Sequence, residues 1–387
     1  MKKILLYSGI TIIIILIIVF LYILFFGTPK DASEVFTNFG IGGGVADTPV
    51  SIPDSVIDET PSALLTKGGP LFRLSNRSVA GMTFVGTTTV RYTEKGTGHV
   101  YEIDLLERTE EQVSFTTFER VMSAEFSSEG TVVLYEIEDG NQNETLVGFL
   151  TKDDAGGGSI DGSLLPIGAH SAGFVGNEGS IQYILPTPAG SSIYTYNPTT
   201  VEETFVAQVP HQALRSAWPS HVYTKPTAEL PGYVYNIDLG TPTYVTEGGF
   251  GLTTDTYDKG IIVTTFTDGF VESIKIEGDT VRNFAFPTFP EKCADTHQAT
   301  TTIVCAGSQE FPDGMTYPDD WYKGIISFED TFWIIRENSG ARPLYNPAEE
   351  SKFFDVSRLT ANTDGSFLLF TDKNDDSLWL LDLSSLY

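Results

Sequence analysis

The chain has 387 residues, with 23 Lys and Arg against 51 Asp and Glu, a net charge of −28, and every acid lies beyond residue 30. A surface this acidic repels a phosphate backbone and excludes nucleic acid as a partner. Hydrophobic residues make up 41% and charged residues only 19%, so the chain is not a disordered polyelectrolyte; 17 Tyr, 26 Phe and 37 Gly with two Cys point to a strand-rich globular body.

From the N-terminus, Ile4 to Phe26 runs without a charge. As a helix at about 1.5 Å per residue it spans the roughly 30 Å hydrocarbon core, and lipid forces even its Ile-rich centre to bond within itself. Tyr7 and Tyr22 stand towards its two ends, and Lys2 and Lys3 precede it. The expectation is an uncleaved signal anchor over residues 1–26, with a cytoplasmic N-terminus and everything after Phe26 exported. A cleaved signal peptide is the competing reading. Against it, the apolar run exceeds the usual ~7–15 residues and no small-x-small site follows.

Residues 27–68 change to Gly, Pro, Thr, Ser and acids, with Gly40-Ile41-Gly42-Gly43-Gly44 and prolines at 49, 53 and 61. This composition predicts a flexible linker with an end-to-end distance of roughly 35 Å. Beyond it, residues 69–387 show short alternating or apolar runs separated by Gly, Asn, Asp and Thr turns, such as Val121–Phe126, Thr131–Ile137 and Thr145–Leu150. No amphipathic pattern of ten or more residues reads as a helix. Asp139-Gly140 and Asp268-Gly269 each separate two strand-like runs, as hairpin turns do.

Groups of three or four strands recur at about 45-residue intervals, the length of a propeller blade. The fold expected is therefore all-β: a single β-propeller of about seven blades, with six or eight bracketing that count. The C-terminus sharpens it. Three strands, Phe353–Leu359, Ser366–Thr371 and Ser377–Leu383, end one short of a four-stranded blade, while Leu71–Ser75 is an isolated strand-like run. If Leu71–Ser75 supplies the missing strand, the ring is closed by its own two ends and two sheet edges disappear.

Ala361–Ser366 followed by Ser377–Leu383 resembles a TolB- or WD40-like propeller blade. Val90–Glu102 and Tyr317–Tyr322 are similar to membrane-anchored propeller proteins, themselves uncharacterised, of the candidate phyla radiation bacteria (Patescibacteria). The resemblance covers most of the chain, anchor included. It implies a propeller in the cell envelope, and it carries no activity and no site residues.

Cys293 and Cys305 both lie on the side expected to be exported, where two thiols favour a disulfide worth roughly 3 kcal/mol; without export they would be free buried thiols. Gln309 to Lys323 is the longest irregular stretch of the body and holds Tyr317, Asp319, Asp320, Trp321 and Tyr322. Flat aromatic faces beside carboxylates are what a carbohydrate or peptide site needs. The competing reading has the aromatics plugging a blade junction and the aspartates capping turns. Asp372-Lys373-Asn374-Asp375-Asp376 lacks the Gly and distal Glu of a calcium loop and reads as a hairpin turn. The five histidines are scattered without metal-ligand spacing, His99 reads as a structural hydrogen-bonding residue, and no Gly-x-Ser-x-Gly elbow occurs. No metal, cofactor or catalytic residue is implied.

Two function classes follow. The first is a membrane-anchored, extracytoplasmic binding or scaffold module that presents a rigid ring to an envelope protein, surface protein or glycan. The second is a carboxylate-dependent, glycosidase-like hydrolase on the same scaffold. The first is preferred, because no motif gathers a nucleophile, a base and an oxyanion donor.

Overall fold

The computed structural model describes residues 50–51, 69–140, 142–152, 157–176, 179–257, 260–267, 270–296, 302–336 and 340–386. The expected anchor over residues 4–26, and all of the linker except Val50–Ser51, lie outside the described residues. No helix among the described residues is long and apolar enough to cross a membrane.

The chain forms a seven-bladed β-propeller. Blade 1 shows the pattern: Val79–Val85, Thr89–Glu94, Val100–Asp104 and Thr109–Ser114 pair antiparallel in chain order, the first lining the channel and the last forming the rim. Val50–Ser51 adds a short fifth strand to that rim, with Val50 opposite Glu110. The inner strands of blades 2 to 7 are Val121–Phe126, His170–Val175, Leu214–Ala217, Thr253–Tyr257, Cys293–Asp295 and Val356–Ala361. Their spacing holds near the expected period except before blade 7, where residues 308–330 are inserted between the second and third strands of blade 6. Among the described residues the one α-helix is a single turn within that insertion, Asp319–Tyr322.

Closure follows the expectation. Leu71–Ser75 pairs antiparallel with Leu378–Asp382 and completes blade 7. A register shift between Arg73 and Ser75 lets both Leu71 and Leu74 turn inward, at 4% and 3% exposed. Leu71 joins the apolar layer between blades 6 and 7, with Phe332 and Leu381, whereas Leu74 joins the layer between blades 7 and 1, with Tyr92 and Leu380. Each buried leucine stabilises the closure by about 1.5–3 kcal/mol before entropy is counted.

The inner strand of blade 7 starts at Val356 rather than Phe353, as the sequence pattern suggests. Asp355 is the cause: its carboxylate accepts bonds from Lys292 and Trp321, which holds the preceding segment out of the sheet. The outer strand of blade 5, Thr280–Asn283, stops short of Phe286, which turns inward and stacks on Trp333 with centroids 4.5 Å apart. Asp139-Gly140 does turn a hairpin, with Asp139 opposite Gln142; Asp268-Gly269 lies outside the described residues. Gly81 permits the inner strands of blades 1 and 2 to touch, since a Cβ there would sit 2.0 Å from the Ala124 carbonyl oxygen.

Candidate functional site

The disulfide between Cys293 and Cys305 is formed. The two residues are direct cross-strand partners on the first and second strands of blade 6, and both are buried. Its position between strands already hydrogen-bonded to each other makes it a staple of the blade.

The insertion over residues 308–330 folds inward more than outward. Trp321 is 2% exposed, stacks on Phe289 at 4.3 Å, and donates its indole N–H to Asp355 at 2.9 Å. Tyr317 stacks on Phe266 at 5.6 Å. Asp320 accepts the Thr316 backbone N–H at 2.8 Å and so closes its own turn. Asp319 accepts the Ala228 N–H, also at 2.8 Å, and ties the insertion to blade 4. Tyr322 is the most open of the five, 45% exposed, and its hydroxyl donates to Glu291 at 2.6 Å.

A buried ion cluster anchors this plug. Lys292 Nζ lies 2.7 Å from Asp330 and 2.6 Å from Asp355, and all three side chains are almost fully buried. Burial alone would lower the pKa of the ammonium, but the two carboxylates overcome it and raise it. Burial also holds Asp330 above the ordinary carboxylate range in spite of Lys292. One Asp330 oxygen accepts from the Val356 N–H and from Lys292, while the other has no partner.

Where the inner strands begin, at blades 4 to 6, a cavity of about 500 Å³ opens into the channel mouth. That volume lies within the ~300–1,000 Å³ range of small-molecule sites. Separate pieces of chain build it. Arg215 and Asp255 come from the inner strands of blades 4 and 5, Glu291 from the turn before blade 6, and Asp319, Tyr322 and Lys323 from the insertion. Two of the five residues singled out in the sequence, Asp319 and Tyr322, therefore reach one site, whereas Tyr317, Asp320 and Trp321 support it from behind. Desolvation pushes the Asp255 carboxyl up to about 7, helped by the Glu291 and Glu125 carboxylates and opposed by the Thr256 N–H. Desolvation raises Glu291 as well, against the hydroxyl that Tyr322 donates to it.

Sequence reasoning missed Arg215, Asp255 and Glu291. A signal existed: several inner strands carry one charge among small or apolar residues, namely Glu125, Arg215, Asp255 and Arg358. In a propeller such a charge faces the channel. Arg358 does so, and its guanidinium donates to the Ala124 carbonyl at 2.6 Å, linking blade 7 to blade 2.

A larger cavity, about 900 Å³, opens at the opposite face beside Trp218, His221 and Asn236. Ser220 Oγ stands 2.8 Å from His221 Nδ1, which invites a nucleophile–base reading. The hydrogen bonds oppose it. Asn236 uses its carbonyl for the Asp238 N–H, so its amide nitrogen faces His221 Nε2 at 3.4 Å and Nδ1 keeps the proton. His221 thus donates to Ser220 instead of taking its proton. Asp255 lines both cavities and marks the level at which they meet.

The remaining motifs are structural. His99 Nε2 bonds Thr117 Oγ1 at 2.8 Å. Asp372 turns the last hairpin by accepting the Asn374 N–H, and Asp376 in that turn pairs with Lys95 at 2.8 Å. Among the described residues no group of three or more His, Cys, Asp or Glu is arranged to hold a metal ion.

No family model matches the chain, and no curated protein matches it. Solved structures do. Virginiamycin B lyase from Staphylococcus aureus is 14% identical, with a TM-score of 0.50 over 81% of this chain and 98% of that one. An oligogalacturonate lyase in complex with manganese is 12% identical, with a TM-score of 0.50 over 83% of this chain and 96% of that one. At such identities the likeness is one of fold. It agrees with the propeller and extends to no residue of the site.

Proposed function

We propose that the chain is a binding module of the cell envelope, tethered by residues 4–26, spaced from the bilayer by residues 27–68, and taking a small polar ligand, a glycan or a peptide end, at the channel mouth. The observation that carries this is the cavity of about 500 Å³, where side chains of both charges and the exposed Tyr322 converge from blades 4, 5 and 6. A rigid ring with one long insertion at its mouth suits recognition, because the insertion can vary while the blades keep the core. The buried cluster of Lys292, Asp330 and Asp355 fixes the insertion, so the site is largely preformed.

The test is a glycan and peptide array probed with the full-length chain in a mild non-ionic detergent, wild type against Tyr322→Ala and Glu291→Gln. Ligands retained by the wild type and lost by both variants support the proposal. Identical retention by all three would place binding elsewhere and overturn it.

One observation favours the hydrolase as a second reading: Asp255 and Glu291 share the cavity and both carboxyls are raised, which suits proton transfer near neutral pH. Mass spectrometry of the retained ligand separates the two. A binding module returns it intact, and a hydrolase returns fragments that disappear in Asp255→Asn.

A further inference from the structure

In a chain with more than twice as many acids as bases, a basic side chain with no acidic partner is the exception. Elsewhere in the propeller many cations are engaged, Arg73 with Asp375, Arg77 with Glu94, Lys95 with Asp376, and Arg120 with Asp139, although two buried guanidinium nitrogens of Arg108 meet no acceptor. Arg358 is spent on a backbone carbonyl, and Lys373 lies over the Trp321 ring. Three more unengaged cations stand together. Arg215, Lys225 and Lys323 make no side-chain hydrogen bond or ion pair with any described residue, and all three line the cavity at the channel mouth.

The acids of that cavity have not drawn these cations in. Asp319 is held by the Ala228 N–H and Glu291 by the Tyr322 hydroxyl, so neutral donors occupy the carboxylates while the basic groups stay open. Arg215 is fixed by its place on an inner strand, opposite Tyr223 in register. Its positive field reaches both Tyr223 and Tyr322 at the cavity wall. Lys225 follows the second strand of blade 4, and Lys323 follows the short helix of the insertion. Unpaired cations on three different segments, aimed at one space, are the recognition chemistry of an anion.

The volume and the rest of the lining narrow the class. About 500 Å³ is far more than a single inorganic anion fills, and Ser216, Thr254, Asp255 and Glu291 supply donors and acceptors between the cations. Groups of that kind pair with hydroxyls. We infer that the channel mouth takes an acidic oligosaccharide, with its carboxylate held among Arg215, Lys225 and Lys323 and its hydroxyls met by Asp255, Glu291 and their neighbours. This inference rests on the channel mouth being a binding site, as proposed above, and adds the chemistry of what it binds.

Calorimetry on the full-length chain in non-ionic detergent tests it with three matched pairs of sugars. They are cellobiouronic acid against cellobiose, digalacturonic acid against its dimethyl ester, and sialyllactose against lactose. At least one acid is expected to bind about tenfold or more tightly than its neutral mate, the share of one charge-assisted hydrogen bond. Raising salt from ~50 to ~500 mM should shrink that preference, because the cations are solvent-accessible. Arg215→Gln and Lys323→Gln, both at exposed positions, should each remove most of the preference of the acid over its neutral mate.

Equal binding of acid and neutral mate would overturn the anion inference while leaving the binding site itself standing. Failure of all three acids, with array ligands still lost in Tyr322→Ala, would overturn the inference in the same way. If the array ligands also survive Tyr322→Ala and Glu291→Gln, both the inference and the binding site fall together.

Discussion

Replacing Lys292 by Met removes the one cation that holds the plug of the propeller together. Its Nζ sits within 2.7 Å of Asp330 and 2.6 Å of Asp355, with about 1% of each partner's surface or less open to water. Methionine fills nearly the same volume, so the loss is electrostatic and not a cavity. Two buried carboxylates would then face each other without a counter-charge, and one Asp330 oxygen already lacks a partner. Breaking a buried pair in this way costs about 3–5 kcal/mol, which corresponds to a fall of about 5–15 °C in Tm. The penalty falls on charged carboxylates, so it should shrink as pH drops towards 5 and Asp330, already raised by burial, takes up a proton. Adding Asp330→Asn and Asp355→Asn to Lys292→Met should recover much of the loss, because an uncharged trio has no ion to desolvate. Differential scanning calorimetry at pH 8 and pH 5 measures both effects, and trypsin cleavage within residues 308–330 reports release of the insertion. A change in Tm below about 2 °C at pH 8, or a loss equal at both pH values, would refute the reasoning.

Three further outcomes follow from the same structure. Asp255 is raised to about 7 by desolvation from an unfolded value near 4, so it stabilises the fold fully below that unfolded value and loses this as pH rises through 7. Asp255→Asn should therefore raise Tm clearly more at pH 8 than at pH 5, as read by circular dichroism melts. Replacing Cys293 and Cys305 together by Ala should cost about 3 kcal/mol for a link closing 12 residues, measured by urea unfolding, with no loss of blade count in the folded state. Deleting residues 1–75 should bare the edge of Leu378–Asp382 and give concentration-dependent association in light scattering, and a peptide spanning 69–77 should reverse it.

Local signals made the architecture legible. Alternation, turn pairs and the blade-length repeat mark the strands, and the missing fourth strand of blade 7 points back to Leu71–Ser75 across some 300 residues. Closure can be deduced because an unpaired edge is costly whatever the sequence around it. The site was legible only in part. Residues 317–322 stand out as a decorated loop, yet which of their side chains face inward depends on Lys292, Asp330 and Asp355, drawn from segments up to 63 positions apart. The channel mouth is assembled in the same way, from inner strands and turns of three blades. Periodicity gives the face of each strand, but a strand with a single charge, such as Thr253–Tyr257, does not disclose which other charges it will meet across the ring.

Site-specific photo-crosslinking reads directly whether the channel mouth meets a ligand. A benzophenone amino acid is placed at Tyr322 in one variant and at Leu239, 86% exposed and on the opposite face of the ring, in another. Irradiation of intact cells, followed by capture of the full-length chain and mass spectrometry, reads the adducts. The channel-mouth account predicts one recurrent glycan or peptide adduct at position 322 that is absent at 239. Adducts at 239 alone, or equal adducts at both positions, would contradict it.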